Sequence, residues 1–408
     1  MKNNTKEEHP SEFRDISKQF NHILSKEKRM KEGIFFTPKT ARNHLFSLLK
    51  DINPQIILEP SFGSGEFLLD IRERYPTATV IGVEKNQDLY NSVPPDTNLH
   101  NVDFLEWNSD IQADLIIGNP PYFVMKKGEM SENALKLQQN CQTGRTNIFI
   151  LFLYKCLEVH LKAGGILAFI IPTSIYNCSY YQLMRDYISA NTTILHLETL
   201  NDVGFYETGQ ETTLIILKKD QSGENKEYIF LKQNVYISPF WRELALLSAN
   251  TTTIAELGLA VKTGSVVWNQ VKDKLTDDKV NSMLLIYSSN IVNGELVLDN
   301  LKNNKENTKK QYIINTNKPT LQSPVILVER GYGNSYSFNY TYLGDFDGEF
   351  YAENYVNVIY AKSSESTANL QLVANSFNDE RMRDFMRYFI GNGTISATDI
   401  QTIIPIYN

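Results

Sequence analysis

The sequence predicts an α/β fold, a doubly wound sheet in the first half of the chain followed by an α+β region. Three observations predict it. Short apolar, β-branched runs alternate with helical periodicity, and each of the first four runs ends on a polar residue. Glu59-Pro60-Ser61-Phe62-Gly63-Ser64-Gly65 is a Gly-rich turn that opens a helix. Beyond residue 225 the apolar runs become short and irregular and are divided by polar turns.

Size and charge set outer bounds. At 408 residues the chain is long enough for roughly two to three domains of about 150 residues. Hydrophobic content of 42% and charged content of 21% are those of a globular protein with a sizeable core. A net charge of −7 argues against global attraction to nucleic acid but leaves room for a local basic face. Cys141, Cys156 and Cys178 form no Cys-x-x-Cys pair and have no nearby histidines, so neither a disulfide framework nor a zinc site is expected. The polar start and the lack of any apolar run near 18 residues point to a cytoplasmic protein without a membrane segment.

In chain order, residues 1–32 read as an extension with one amphipathic helix, too short for a nuclease or other catalytic domain. Thr37 is a candidate N-cap and Pro38 the first position of a helix from Thr40 to Lys50. Strands are expected at 55–58, at 79–83 ending in Glu84, and around 98–102 ending in Asp103-Phe104. Glu84 lies about 20 residues past the Gly-rich turn, and that spacing favours a ribose-binding acid over a solvated strand-end carboxylate. The three-glycine dinucleotide fingerprint is absent. Residues 123–146 read as a lid or binding loop, 147–161 as an amphipathic helix capped by Gly164-Gly165, and 166–171, 193–200 and 212–217 as the last strands. The polar turn at 221–226 places the domain boundary after residue 225.

The fourth strand runs from Asp114 to Gly118 and into Asn119-Pro120-Pro121-Tyr122. Two prolines end the strand, since neither can donate to a ladder and both fix φ. An amide, a carbonyl and a tyrosine ring are thereby held past the strand's C-terminal end, the edge where open α/β sheets bind ligands.

In order and spacing, Phe36-Thr37-Pro38, Glu59-Pro60 with Gly63-Ser64-Gly65, Glu84, Asp103-Phe104 and Asn119-Pro120-Pro121-Tyr122 resemble the gamma-class S-adenosylmethionine-dependent DNA adenine-N6 methyltransferases of type II restriction–modification systems. The resemblance spans residues 33 to about 217. It implies a seven-stranded methyltransferase (Rossmann-like) sheet over 33–225 and a target-recognition domain over 226–408. It also implies S-adenosyl-L-methionine as cofactor, with Thr37, Pro38, Glu59, Pro60, Ser61, Gly63, Glu84 and Asn119 around it and Asp103 and Phe104 at its adenine. Asn119, Pro120, Pro121 and Tyr122 would form the catalytic set, with Phe205 resembling the second aromatic wall beside the target base; the choice between Phe205 and Tyr206 stays open.

The implied chemistry suits these residues. An exocyclic amine is a poor nucleophile because its lone pair is delocalised into the ring. The Asn119 side-chain oxygen and the Pro120 carbonyl, accepting both N–H bonds, would localise that pair, a positioning and electrostatic effect. Neither a metal nor a covalent intermediate is required, and no Pro-Cys nucleophile is present. The base would have to flip out of double-stranded DNA, stacking on Tyr122. Candidates for DNA contact are Lys126, Lys127, Lys262, Trp268 and Arg330, although lysine clusters are usually solvated faces. Val261–Gln270 and Phe350–Asn354 resemble, more loosely, recognition segments of such enzymes. The expected protein is a monomer or weak homodimer, paired functionally with a cognate restriction endonuclease. An N-methyltransferase of RNA bases or of a protein glutamine amide would share Asn-Pro-Pro-Tyr, and a catalytically idle DNA-binding subunit would share the fold; the Phe-Thr-Pro start and the long C-terminal region favour DNA, and the intact Asn119–Tyr122 set favours an enzyme.

Overall fold

Strand β1 (Ile56–Glu59) is buried over its last three residues, the mark of a strand covered on both faces. It pairs in parallel with β2 (Thr79–Glu84) and β4 (Ala113–Gly118). Beyond these lie β3 (Leu99–Asn101) and β5 (Leu161–Pro172), again parallel. The remaining strands are β6 (Thr192–Thr199) and β7 (Thr212–Lys219), and β7 runs antiparallel between β5 and β6. The order β3-β2-β1-β4-β5-β7-β6 makes a seven-stranded mixed sheet, the α/β Rossmann-like methyltransferase fold expected from the sequence. Alternate residues feed the two faces: Leu58, Ile116, Leu167 and Phe169 enter one apolar cluster, and Ile57, Leu115, Ile117 and Ala168 the other. This computed structural model describes residues 12–200, 211–220, 226–299, 301, 309–314, 316–331, 338–389 and 395–407, with Lys127 described by its backbone alone. Among the described residues, no helix is long and apolar enough to cross a membrane.

Several elements differ from expectation. The N-terminal extension holds two helices, α1 (Asp15–Ile23) and α2 (Lys26–Glu32), because the Ser25 side chain accepts from the Lys28 N–H and starts a new helix. Helix α3 (Lys39–Leu48) begins after Pro38 without a side-chain cap, so Thr37 is not the N-cap. After α4 (Glu66–Arg74) and the short α5 (Gln87–Tyr90), the stretch 123–146 is no bare loop. Residues 124–125 pair with 146–147, and α6 (Glu132–Cys141), capped by Ser131, fills the span between. Helix α7 covers only Ile148–Lys155, and it is buried on nearly all sides rather than amphipathic. A single wide turn carries it to His160, and Gly164-Gly165 lies within β5 rather than at a helix cap.

Contacts divide the chain after Trp241 rather than after residue 225. The hairpin 229–231/235–237 belongs with the first unit: Ile229 and Ile237 join its core, and the Ile237 N–H donates to the Tyr176 carbonyl at 3.1 Å. Arg185, on α8 (Gln182–Asn191), donates to the Val235 carbonyl at 2.7 Å and lies over the Tyr236 ring. The second unit, Arg242–Asn408, contains two four-stranded sheets. One orders 259–263, 356–361, 325–329 and 340–343, all antiparallel. The other orders 275–276, 312–313, 283–286 and 350–352, and the helices 369–376, 380–389 and 397–402 complete an α+β unit.

Candidate active site

Because β1 to β4 are parallel, Glu59, Glu84, Asp103 and Asn119 end up at one edge of the sheet. Glu59 is 1% exposed, and its Oε2 has no hydrogen-bond partner among the described residues. Burial, reinforced by the charges of Glu84 and Asp70, holds its carboxyl well above the usual carboxylate range. Glu84 is also pushed up by burial, tempered by backbone N–H donors. Its Oε2 accepts from Gly63 at 2.9 Å and its Oε1 from Asn86 at 2.7 Å, so this acid fixes the Gly-rich turn. Gly63 has φ 55°, and a Cβ built there would meet no atom within 4 Å, so the backbone faces open space. Asp103 accepts from Lys85 Nζ at 2.8 Å and from the Leu105 N–H at 2.9 Å.

Asn119 is the hub. Its Nδ2 donates to Thr37 Oγ1 at 3.0 Å, its backbone carbonyl accepts from Ser61 Oγ at 3.4 Å, and its Oδ1 accepts from the Tyr122 hydroxyl. Thr37 and Ser61, expected near the cofactor, thus both touch Asn119, Thr37 at its side-chain amide and Ser61 at its backbone carbonyl. Pro38, Pro60 and Pro120 are buried beside them, while Pro121 is half-buried. Tyr122 is buried, which pushes its phenol up, and its ring stacks on Phe35 with centroids 5.3 Å apart and planes 15° apart. Gly33, in the left-handed region at φ 68°, lets the end of α2 approach this turn; a Cβ there would sit 2.8 Å from Pro121 Cβ.

Phe104 departs from its expected place. Its ring is 2% exposed and packs against Phe152, Trp107 and His160, so it is a core residue rather than a free stacking platform. Phe205 and Tyr206 lie outside the described residues. Lys126 is exposed near Glu129, and the Lys127 side chain is outside the description. In the second unit, Val261–Gln270 and Phe350–Asn354 come together: the Val266 N–H donates to the Ala352 carbonyl and the Asn354 N–H to the Val266 carbonyl. Lys262 lies over the Tyr360 ring, and Lys272 and Lys309 flank the Trp268 ring. Arg330 is turned to its own unit, donating to the Asn354 carbonyl at 3.1 Å.

Three features went unnoticed in the sequence. Phe35 precedes Thr37 by two residues in an aromatic run that could have suggested it. Lys155 is the one charged residue of the otherwise apolar α7; its buried Nζ donates to the carbonyls of Phe104, Leu105 and Trp107 at 2.6, 3.1 and 2.7 Å, holding the turn after Asp103. The third is an ion network with no local signature. Arg42 pairs with Glu66 at 2.8 Å and Asp70 at 2.7 Å, Arg14 reaches Asp70 at 2.6 Å, and Ser17 Oγ meets Ser64 Oγ at 2.8 Å. It fastens α1 and α3 to the helix that follows the Gly-rich turn.

Comparison with known proteins adds the lineage. The family profile of Eco57I restriction-modification methylases matches residues 70–205. The type II methyltransferase M.CvrRI of Paramecium bursaria Chlorella virus XZ-6E is 31% identical, covering 97% of this chain and 99% of that one. The modification methylase CviBIII of Paramecium bursaria Chlorella virus NC1A is 30% identical, again over 97% of this chain and 99% of that one. The type II methyltransferase M.TthHB8I of Thermus thermophilus is 26% identical over 41% of this chain and 40% of its own. From its full-length match to the two viral relatives, the chain belongs to the family of type II modification methylases, enzymes of restriction–modification systems whose expected cofactor is S-adenosyl-L-methionine.

Proposed function

We propose that this methyltransferase has the gamma arrangement and methylates the N6 amine of a flipped-out adenine in double-stranded DNA. It would protect that DNA from a cognate endonuclease. The observation that carries the reading is the Thr37–Asn119–Tyr122 chain at the end of β4. Thr37 fixes one end of the Asn119 amide, so the acceptor oxygen points the other way. An exocyclic amine donating to Asn119 Oδ1 and to the Pro120 carbonyl would have both N–H bonds engaged and its lone pair freed for attack. The transfer would form a carbon–nitrogen bond, break the donor's carbon–sulfur bond and release one proton from the amine to solvent.

The residues around the turn fit the cofactor. When bound, it supplies a methyl group on a sulfonium centre. The unpartnered buried oxygen of Glu59 suits its ammonium, the open backbone at Gly63 leaves room for it, and Asp103 and Glu84 offer acceptors for its adenine and ribose. Tyr122 would give up its bond to Asn119 when the amine arrives and offer a ring face to the extruded base. The second unit would read sequence, with Lys262 and Trp268 among its contacts while Arg330 holds the Asn354 carbonyl, and Lys126 and Lys127 would meet phosphates beside the site.

The test is incubation with tritium-labelled S-adenosylmethionine and unmethylated genomic DNA, followed by nucleoside analysis. Label in N6-methyladenine at one short motif is expected. Label in N4-methylcytosine would correct the base, and transfer into RNA or protein alone would overturn the reading.

A further inference from the structure

Two histidines far apart in sequence converge on one carboxylate oxygen of the last strand in the sheet order. His44, on α3, places Nε2 at 2.7 Å from Glu198 Oε2, and His196, on β6, places Nε2 at 3.1 Å from the same oxygen. One ligand atom from each residue lies within 4.8 Å of both others. The arrangement depends on an irregularity in the edge strand. Between Ile194 and His196 the register of β6 against β7 shifts by one residue, which leaves Leu195 exposed. Ile194 and Leu197 can then both enter the core, while His196 and Glu198, two residues apart, share the other face.

We propose that His44, His196 and Glu198 form a binding site for one divalent transition-metal ion of the zinc or cobalt class. The donor set argues for that class, because imidazole nitrogen suits zinc, copper, nickel and cobalt, whereas magnesium and calcium require oxygen ligands. The geometry needs little adjustment. Bonds of about 2.0–2.2 Å to a tetrahedral ion space the donors roughly 3.3–3.5 Å apart, and two of the three separations here are 2.7 and 3.1 Å. Side chains that are 28–44% exposed give the ion a route in and leave a position for water. Two imidazoles and one carboxylate make a three-ligand set, so the ion would keep an open position. Its place gives it a structural role. It would tie α3, which starts just after Thr37-Pro38, to the strand whose chain continues into residues 201–210.

The experiment takes the full-length chain freed of metal and titrates it with cobalt(II), following the visible bands of a cobalt–imidazole centre, then displaces the cobalt with zinc. One equivalent is expected to bind, and zinc should raise the melting temperature. His44→Ala and His196→Ala should each weaken binding at least about tenfold, the low end of what even an outer partner is worth to a metal centre. Glu198→Gln should do likewise, and His22→Ala, at an exposed histidine on α1, should not. Circular dichroism of each variant separates loss of the site from loss of the fold. Absent cobalt bands in the unaltered protein would overturn the proposal and leave a hydrogen-bonded His–Glu–His cluster. So would undiminished binding in the folded variants, or magnesium binding as tightly as zinc.

Discussion

The Tyr122 hydroxyl donates to the side-chain oxygen of Asn119, the same atom that must accept from the substrate amine if the proposed chemistry holds. Without substrate the acceptor is satisfied from within its own turn, and Phe35 braces the ring that does so. Binding a target base then exchanges one hydrogen bond for another, leaving no buried acceptor bare at either stage.

Asn119→Ala should leave cofactor affinity nearly unchanged and lower kcat by about 10²–10³-fold or more, the loss typical for a removed transition-state hydrogen-bonding group. Tyr122→Phe should keep turnover, since the ring remains and the Asn119 oxygen is merely uncapped. Tyr122→Ala should cost the extruded state about 1–3 kcal/mol of stacking, read with a fluorescent base analogue at the target position. Equal loss in both Tyr122 variants would show that the hydroxyl, not the ring, matters.

Glu59 links stability to pH. Burial raises its folded-state pKa above the unfolded value, so between the two the folded protein holds a proton that the unfolded chain has lost. Stability of the cofactor-free protein should therefore fall as pH rises from about 4.3 toward the raised value, and level off above it. Glu84, raised by burial as well, acts with the same sign. Glu59→Gln should flatten this slope and raise the melting temperature at neutral pH. It should also weaken cofactor binding about tenfold or more, the worth of one hydrogen bond to a charged group. Melting curves across pH and calorimetric titration with the cofactor check both parts.

Lys155→Met should lower stability by about 1–3 kcal/mol or more, since the Leu105 and Trp107 carbonyls lose the Lys155 donor, the Phe104 carbonyl keeps only the Trp107 N–H, and a buried unsatisfied group costs on that order. The turn that they belong to includes Asp103's neighbours, so cofactor binding should weaken in parallel. Denaturant melts and cofactor titration on one sample read both effects, and a variant that melts normally would contradict the bracing role.

Removing residues 242–408 should spare cofactor affinity and destroy the choice of DNA sequence. Site-specific methylation by residues 1–241 would refute the division of labour between the two units.

Much of the first unit was legible because its signals are local. The strands at β1, β2 and β4 follow from uninterrupted apolar runs, and the Gly-rich turn from its glycines. The site at the strand ends follows from parallel pairing, which brings Glu59, Glu84, Asp103 and Asn119 to one edge. What escaped was set by partners distant in sequence. Thr37 looked like a helix cap, yet its hydroxyl serves Asn119, 82 residues later. Phe104 looked available for stacking because its burial depends on Phe152 and on the extension of α7 to His160. Gly164-Gly165 looked like a helix cap because nothing nearby reveals that β5 starts at Leu161. Arg42 and Lys155 are ordinary charges until the chain closes around them.

The hairpin at 229–237 has a practical meaning for anyone wishing to redirect such an enzyme. A graft that replaces everything after the polar turn at 221–226 would discard the strands under which Arg185 is tucked and leave the Tyr176 carbonyl without the Ile237 N–H that it accepts from. Transplanting a recognition unit from a relative should join the chains after Trp241, with the hairpin kept as part of the recipient.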